Sequence, residues 1–411
     1  MPVLTLATLF AAGMSGCTAP PAADAPPAAT PRAGAPAGCD PNVVALVEGA
    51  QFYSLQDAWD ASGDNATIAV CPGEWHERVQ TRFEQVVGRR VVSASGNSSD
   101  TILIADETQS SIALFDSPFI QVSFQDLTFL GGTPSIDLAI YPWTQIPSTY
   151  LRVNDCVFES YYTDASSAIN ADLESINIEN SNFTFHSGGI DIGFTTDLNI
   201  INNEFYGNFK LASPFDYFQL SDSSRAVFSD NFVDGPSIDF SFRDATHSLI
   251  VENNTFTRHM ADPFSVDPNG AAALRVYVSA GAQVDLDIVD TTFDSNFGYD
   301  ASHVQLDRDP FEDRSLSHID ATFTRTNFWR GGWGAGDIPD DTRTPGEAHV
   351  VGAAIGIGTS SRSYDLTFED VDFGTGPTAN YGRTLDVCAE HKEGLFSGTH
   401  SYPTPRPTCP W

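Results

Sequence analysis

Lysine is almost missing from this chain: Lys210 and Lys392 are the two in 411 residues, and basic residues number 20 against 54 acidic ones. A formal net charge of −34 repels phosphate backbones, so nucleic acid is excluded as a partner. The same charge suits a solvated, aggregation-resistant surface or the attraction of cations. Beyond the N-terminus no apolar run is long enough to span a bilayer. The nine histidines form no HExxH pair. His247 with His259, and His303 with His318, lack further ligands at metal-site spacing, so no metal site is expected. Gly352, Gly356 and Gly358 sit in a strand-like run without a following helix and make no nucleotide loop. Acidic loops such as Asp307-Arg308-Asp309 and Asp337 to Asp341 lack EF-hand spacing, and Ca²⁺ is the one cofactor they admit.

What is present first is a leader. The opening MPVLTLATLFAAGMSGC has an apolar stretch, small residues and then Cys17, the layout of a secretory signal. Met14-Ser15-Gly16-Cys17 resembles a bacterial lipobox, whose cysteine is lipidated and becomes the mature N-terminus. No basic residue precedes it, so either the true signal is longer or the segment is an ordinary secretory signal. The Pro/Ala-rich stretch that follows has no apolar periodicity and reads as a tether. The expected division is a signal at 1–16, a tether at 17–38, a folded body at 39–375 and a C-terminal cap or tail at 376–411. The expected location is the outer membrane or cell surface, otherwise the periplasm or medium. Contact with the membrane would run through the lipid anchor alone.

Setting Cys17 aside leaves Cys39, Cys71, Cys156, Cys388 and Cys409, an odd set for an oxidising compartment. Cys39 and Cys71 flank the first structured segment, and Cys388 and Cys409 flank the last. Of three possible connectivities we expect these two staples, with Cys156 as a small buried hydrophobe.

The body repeats itself. An apolar residue, a spacer, Asn or Asp, two residues and Phe recur nine times, ending at Phe129, Phe158, Phe183, Phe205, Phe232, Phe256, Phe293, Phe328 and Phe373. Three positions before these stand Asp126, Asp155, Asn180, Asn202, Ser229, Asn253, Asp290, Arg325 and Asp370. The central spacings of 25, 22, 27 and 24 residues fit one coil of a solenoid. Alternating strands lie between the motifs, among them 189–194, 217–221, 237–242, 274–278 and 303–307. Stacked coils would pile each Phe on its predecessor, and the Asn or Asp would supply a tight corner. Ser229 and Arg325 break the pattern, so irregular corners are expected there. Ser54 to Trp59 reads as a helix capped by Ser54, with Leu55, Ala58 and Trp59 on one face.

The amphipathic helix, the DNATIAVCPGEWHERV segment and the recurrent NN-x-F coils resemble the pectin lyase-like superfamily, of the uncharacterised bacterial surface lipoprotein type. The resemblance covers roughly residues 43–375. It implies an all-β right-handed parallel β-helix with a short N-terminal capping helix. It also implies a carbohydrate-related role, since characterised relatives are lyases, glycosidases, epimerases and sugar-binding modules. The motifs specify architecture and leave the chemistry open.

With the alternating strands in register, the outward positions of the middle coils are Asp191, Gln219, Asp239, Arg275 and Gln305. Ser221, Ser241, Tyr277 and Asp307 lie beside them, and Arg243 is a further candidate. Carboxylates, amides, Arg and Tyr are the groups that hold sugar hydroxyls, a uronate or Ca²⁺. The plain alternative is an ordinary polar strand face. Asp191, Asp239, Arg275, Tyr277 and Asp307 are the weak candidates for catalysis. Asp191 and Asp239, two rungs apart at about 9.6 Å, sit at the upper limit for an inverting glycosidase pair. The carboxylate arrangement of polygalacturonase-like enzymes and its Arg-x-Lys partner are absent. The Trp329 and Trp333 insertion offers either a sugar platform or a loop packed on the coil. The expected function is therefore binding of a polysaccharide or other surface ligand by a monomer. A polysaccharide lyase or glycoside hydrolase, or a structural or adhesive protein, are the alternatives.

Overall fold

The computed structural model describes residues 36–105, 111–131, 134–140, 148–159, 168–185, 190–193, 195–207, 215–220, 223–259, 272–296, 301–308, 317–331, 353–357, 364–374, 387–389 and 395–401. The expected leader, Cys17 and all but the last three residues of the tether lie outside these residues.

Alternation of period two sends every second side chain to one interior and leaves the others outside. Ile176 and Ile178, Leu198 and Ile200, Ala226 and Phe228, and Leu249 and Val251 are buried on four successive rungs in one register. The body strands pair in parallel. Eleven of them form a front sheet running from Val79–Arg82 to Val387–Ala389. The other 24 strands among the described residues form one sheet that bends in each coil and is parallel except where its first two strands pair at the N-terminal end. We call its longer strands, such as Ser175–Glu179, the back face, and its shorter ones, such as Asn182–Phe185, the side face. The fold is a parallel β-solenoid, nearly all strand, and the expected alternating segments supply most of the front sheet.

The bend between back and side faces needs one residue per coil in the left-handed region, where Asn and Asp are the best tolerated residues with a side chain. Asp126, Asp155, Asn180, Asn202, Asp230, Asn253, Asp290, Arg325 and Asp370 all have φ between 48° and 57°. Two expectations are corrected here. The corner of the fifth coil is Asp230, not Ser229. Arg325 makes a regular corner, because its guanidinium forks onto Asp290 of the coil before at 2.5 and 2.6 Å. Corner amides continue the ladder into the next coil, as in Asn202 N–H to the Ser229 carbonyl at 2.9 Å and Asp230 N–H to the Glu252 carbonyl at 2.9 Å.

Immediately after each corner the chain turns inward, and there lies a second ladder that is wholly buried. The Asn203, Asn231 and Asn254 side chains are 1–2% exposed. Asn231 Oδ1 accepts the Asn203 backbone N–H at 2.9 Å, while its Nδ2 donates to the Ile200 carbonyl at 2.9 Å. Asn254 repeats this for Asn231. Ser181 and Thr291 continue the ladder at its two ends. Cys156 occupies the same column below Ser181, free and buried, and burial pushes its thiol up to about 12. It is packing, not a nucleophile.

The phenylalanines form the expected column. Phe129, Phe158, Phe183 and Phe205 stack at 4.9, 4.8 and 5.1 Å, and Phe256, Phe293, Phe328 and Phe373 at 4.7, 5.2 and 5.3 Å. Phe232 is the exception. Register puts Val233 opposite Phe205 and Phe256, so Phe232 faces outward beside Tyr206. Phe228, from the back face, fills the gap at 6.0 Å from Phe205 and 5.9 Å from Phe256. Each stacked pair adds roughly 0.5–1.5 kcal/mol beyond its buried area.

At the N-terminal end the helix α1, Leu55–Ala61, is present with Ser54 as its N-cap, its Oγ accepting from Asp57 N–H at 3.1 Å. Leu55, Ala58 and Trp59 are buried, and Trp59 stacks 4.6 Å from Phe115. The Gln56 carboxamide accepts from Gln80 N–H at 2.7 Å and donates to the Gln80 carbonyl at 3.1 Å, on the terminal strand of the front sheet. Ala45–Val47 pairs antiparallel with Thr67–Val70 and with Ala50–Phe52, where the parallel stack ends. Cys39 and Cys71 form the expected disulfide. Beyond residue 375, Val387–Ala389 and Leu395–Ser401 add one more rung. Cys388 lies in the first of these strands, and its expected partner Cys409 is outside the described residues.

The buried ladder makes the larger contribution, and a pair of substitutions separates the two. Asn231→Ala leaves the Asn203 N–H and the Ile200 carbonyl unpaired in the interior, costing about 2–5 kcal/mol. Asn202→Gly keeps the left-handed corner and loses one exposed hydrogen bond, costing below about 1 kcal/mol. Chemical denaturation of the two variants measures the difference.

Candidate functional site

The outward face of the front sheet is set by its buried alternates. Ile169 and Ala171, Ile190 and Ile192, Ile238 and Phe240, and Leu274 and Val276 point inward, so the intervening side chains point out. Parallel pairing aligns these outward residues in rows at about 4.8 Å per rung. One row runs Asp137, Asn170, Asp191, then Asp239, Arg275 and Gln305. In the neighbouring row stand Asp172, Gly193, Ser241 and Tyr277, and the strand register places the positions of Gln219 and Asp307 in the same line.

Asp191, Asp239 and Arg275 thus share a row, as expected. Gln219 does not: Ile192 pairs with Phe218, so Tyr217 occupies the place between Asp191 and Asp239. Alternation fixes the face of a strand but leaves a slip of two residues undetermined, and that is the size of the error. Arg243 is also apart from the others. It ends its strand, is exposed, and lies 3.9 Å from Asp244. Ser221, Asp309 and the 337–341 segment lie outside the described residues, as does Trp333. Trp329 belongs to the strand Asn327–Trp329 and donates from Nε1 to Asp372 at 3.0 Å.

Two environments alternate along the face. In the middle rungs Asp239, Ser241 and Gln305 are only 3–4% exposed, so this stretch is not the open surface expected of outward strand residues. Ser237 Oγ lies 3.0 Å from Asp239 Oδ1, and Arg275 stands on the adjacent rung with its guanidinium 5.4 Å from the Tyr277 ring centroid. A shielded carboxylate is tolerated beside a cation and a hydroxyl.

Three rungs nearer the N-terminus lies a carboxylate group that the alternation did not announce. Asp172 and Asn170 come from Ile169–Asp172, whose INAD sequence carries little β propensity. Asn170 Nδ2 donates to Asp137 Oδ1 at 3.0 Å. Burial raises the Asp172 carboxyl above the usual range, Asp191 raises it further by like-charge repulsion, and the Gly193 backbone N–H partly offsets both. Burial also raises Asp137 and Asp191, with Asp116 adding repulsion at Asp137. Gly193 is required for space: a Cβ there would come within 2.1 Å of Asp172 Oδ1. Asp172 is one rung from Asp191, whereas Asp239 is two rungs away.

Among the described residues no group of three or more His, Cys, Asp or Glu side chains stands close enough to hold a metal ion. The buried histidines take part in core hydrogen bonds: His247 Nδ1 with Ser224 Oγ at 2.8 Å, His259 Nδ1 with the Gly235 carbonyl at 3.1 Å, and His303 Nδ1 with Asn296 Nδ2 at 3.1 Å. No helix among the described residues is long and apolar enough to cross a membrane. No family model, curated protein or solved structure matches the chain.

The raised carboxyls have a consequence for stability. A carboxyl whose folded pKa exceeds its unfolded one holds its proton more tightly in the folded chain, so stability falls as pH rises through the interval between the two values. Asp172→Asn keeps an acceptor for the Gly193 N–H and removes the repulsion. We expect a melting temperature higher by roughly 2–4 °C at pH 7, with the gain shrinking toward pH 4. Thermal unfolding across that range measures it.

Proposed function

We propose that this chain is an exported protein, anchored through lipid on Cys17, that folds as a right-handed parallel β-helix of pectin lyase-like type. In this reading α1 closes its first rung, and the outer face of the front sheet binds a polysaccharide of the cell surface or its surroundings. The observation that carries the binding reading is the accessible part of the outward rows, where the carboxylates of Asp137, Asp172 and Asp191, the amide of Asn170 and, further along, the guanidinium of Arg275 and the phenol of Tyr277 repeat at the strand spacing. A linear polymer with its own regular repeat of hydroxyls matches such a surface group by group. The acidic body repels anionic polymers at long range, so Arg275 is the local contact for an acidic sugar unit.

One observation favours a second reading, hydrolysis of a glycoside. Asp172 and Asp191 stand on adjacent rungs with both carboxyls raised, and a proton-holding acid beside a carboxylate is what glycosidic cleavage needs. The Asp191 and Asp239 pair supports it less, being two rungs apart.

Screening the full chain against neutral and acidic polysaccharides tests the proposal. Tyr277→Ala and Asp191→Asn should each weaken the best binder by roughly tenfold, the loss of about 1.4 kcal/mol expected for one good polar or stacking contact. Absence of any polysaccharide ligand rejects the binding reading, and release of reducing ends that stops with Asp172→Asn favours the second. For the anchor, labelling with a fatty-acid analogue should mark the wild-type chain and not Cys17→Ser.

A further inference from the structure

The side face, remote in purpose from the front sheet, carries a groove of about 620 Å³ near the N-terminal end. Its floor comes from two outward rows. One runs Glu74, Ile102, Thr128, Val157; the other runs Ile104, Leu130, Glu159. The turn Ser98–Asp100 forms a wall, tied to the floor by Thr128 Oγ1 donating to the Ser98 carbonyl at 2.9 Å. Ile102, Ile104, Leu130 and Val157 are only half-buried although they face outward. Followed up the solenoid, the same rows continue as Asn182, Glu204, Phe232, Thr255, Thr292 and Asn327, and as Thr184, Tyr206, Asp234, Thr257, Asp294 and Trp329. No other aliphatic residue faces outward there among the described residues. Half-buried aliphatic side chains clustered on three consecutive rungs, on a face that elsewhere carries polar groups and single aromatic rings, lie outside the core and form an apolar strip open to solvent on one side.

The charges at the ends of this floor are as specific as the floor itself. Glu74 and Glu159 bracket it diagonally, three rungs or about 14 Å apart along the stack. Both are exposed, and neither side-chain carboxylate has a hydrogen-bond or ion-pair partner among the described residues. An aliphatic strip with a free carboxylate at each end selects a ligand of the inverse pattern: a chain of methylenes with a cationic group at each end. Ser98, Ser99 and Thr128 oxygens lie beside the strip as acceptors for N–H groups between the ends.

We propose that this groove binds an extended aliphatic polyamine, its terminal ammonium groups on Glu74 and Glu159 and its methylenes on Ile102, Ile104, Leu130 and Val157. The proposal does not depend on the polysaccharide reading of the front sheet. Its energetics combine two charge-assisted contacts at the ends with apolar area in the middle, and the length of the ligand is set by the spacing of the carboxylates.

Isothermal titration of the full chain with spermine, and with putrescine as a ligand too short to bridge both carboxylates, tests it. Spermine should bind at least tenfold more tightly than putrescine. Glu74→Gln with Glu159→Gln should weaken spermine at least tenfold, and Leu130→Thr severalfold at unchanged charge. All these side chains are on the outer face, so thermal unfolding should stay at the wild-type temperature. Asp285 and Asp320 face one another on adjacent rungs of the back face, and Asp285→Asn with Asp320→Asn removes the same charge elsewhere. An equal loss of affinity in that control would mean diffuse attraction to an acidic protein and would overturn the site. No spermine binding, or no effect of Leu130→Thr, would overturn it as well.

Discussion

The solenoid depends on keeping backbone hydrogen bonds unbroken around one sharp bend per coil. A chain that turned there in an ordinary conformation would leave an amide and a carbonyl unpaired at each level, and nine such losses would exceed the stability of a typical domain. Nine left-handed residues prevent this by keeping the ladder continuous through the corner. The buried asparagines finish the task on the inner side, each carboxamide standing in for peptide groups that the turn has displaced. The aromatic column fills the space next to them. Its rings are fully buried, but they can align only because the corners repeat at the same height.

This division explains what the amino-acid sequence discloses and what it conceals. Periodicity discloses the corner residues and the phenylalanines, because both recur at the coil spacing. It fails at Ser229 and Phe232 by a single residue: two phenylalanines, Phe228 and Phe232, compete for one place in the pattern, and the aromatic that fills the core arrives from the preceding strand. The inner ladder was hidden because its members vary among Cys156, Ser181, Asn203 and Thr291, which share a role and not a residue type. Cys39 and Cys71 were legible from their position flanking the first strands.

The candidate face was legible in part. Which residues point outward follows from alternation, and Asp191, Asp239 and Arg275 do share a row. Row assignment across Gln219 was not recoverable, since a two-residue slip leaves the inward pattern intact. Asp172 was hidden by a strand of weak propensity. Its environment is nonetheless the most informative on the face, because a carboxylate held near another at a cost in stability, over a glycine that makes room for it, is a local conflict within an otherwise consistent fold. Such conflicts concentrate where a surface has a task other than its own folding.

The helix at the N-terminal end bears on assembly. An open parallel sheet is a template, since its last strand offers donors and acceptors to any passing extended chain. Here the terminal front strand spends its Gln80 peptide groups on a single side-chain amide, that of Gln56, and the adjoining stack ends in antiparallel pairing. Gln56 thereby occupies the peptide groups through which a further strand would pair at that residue. At this one position a glutamine side chain stands where the backbone of a preceding strand would otherwise pair.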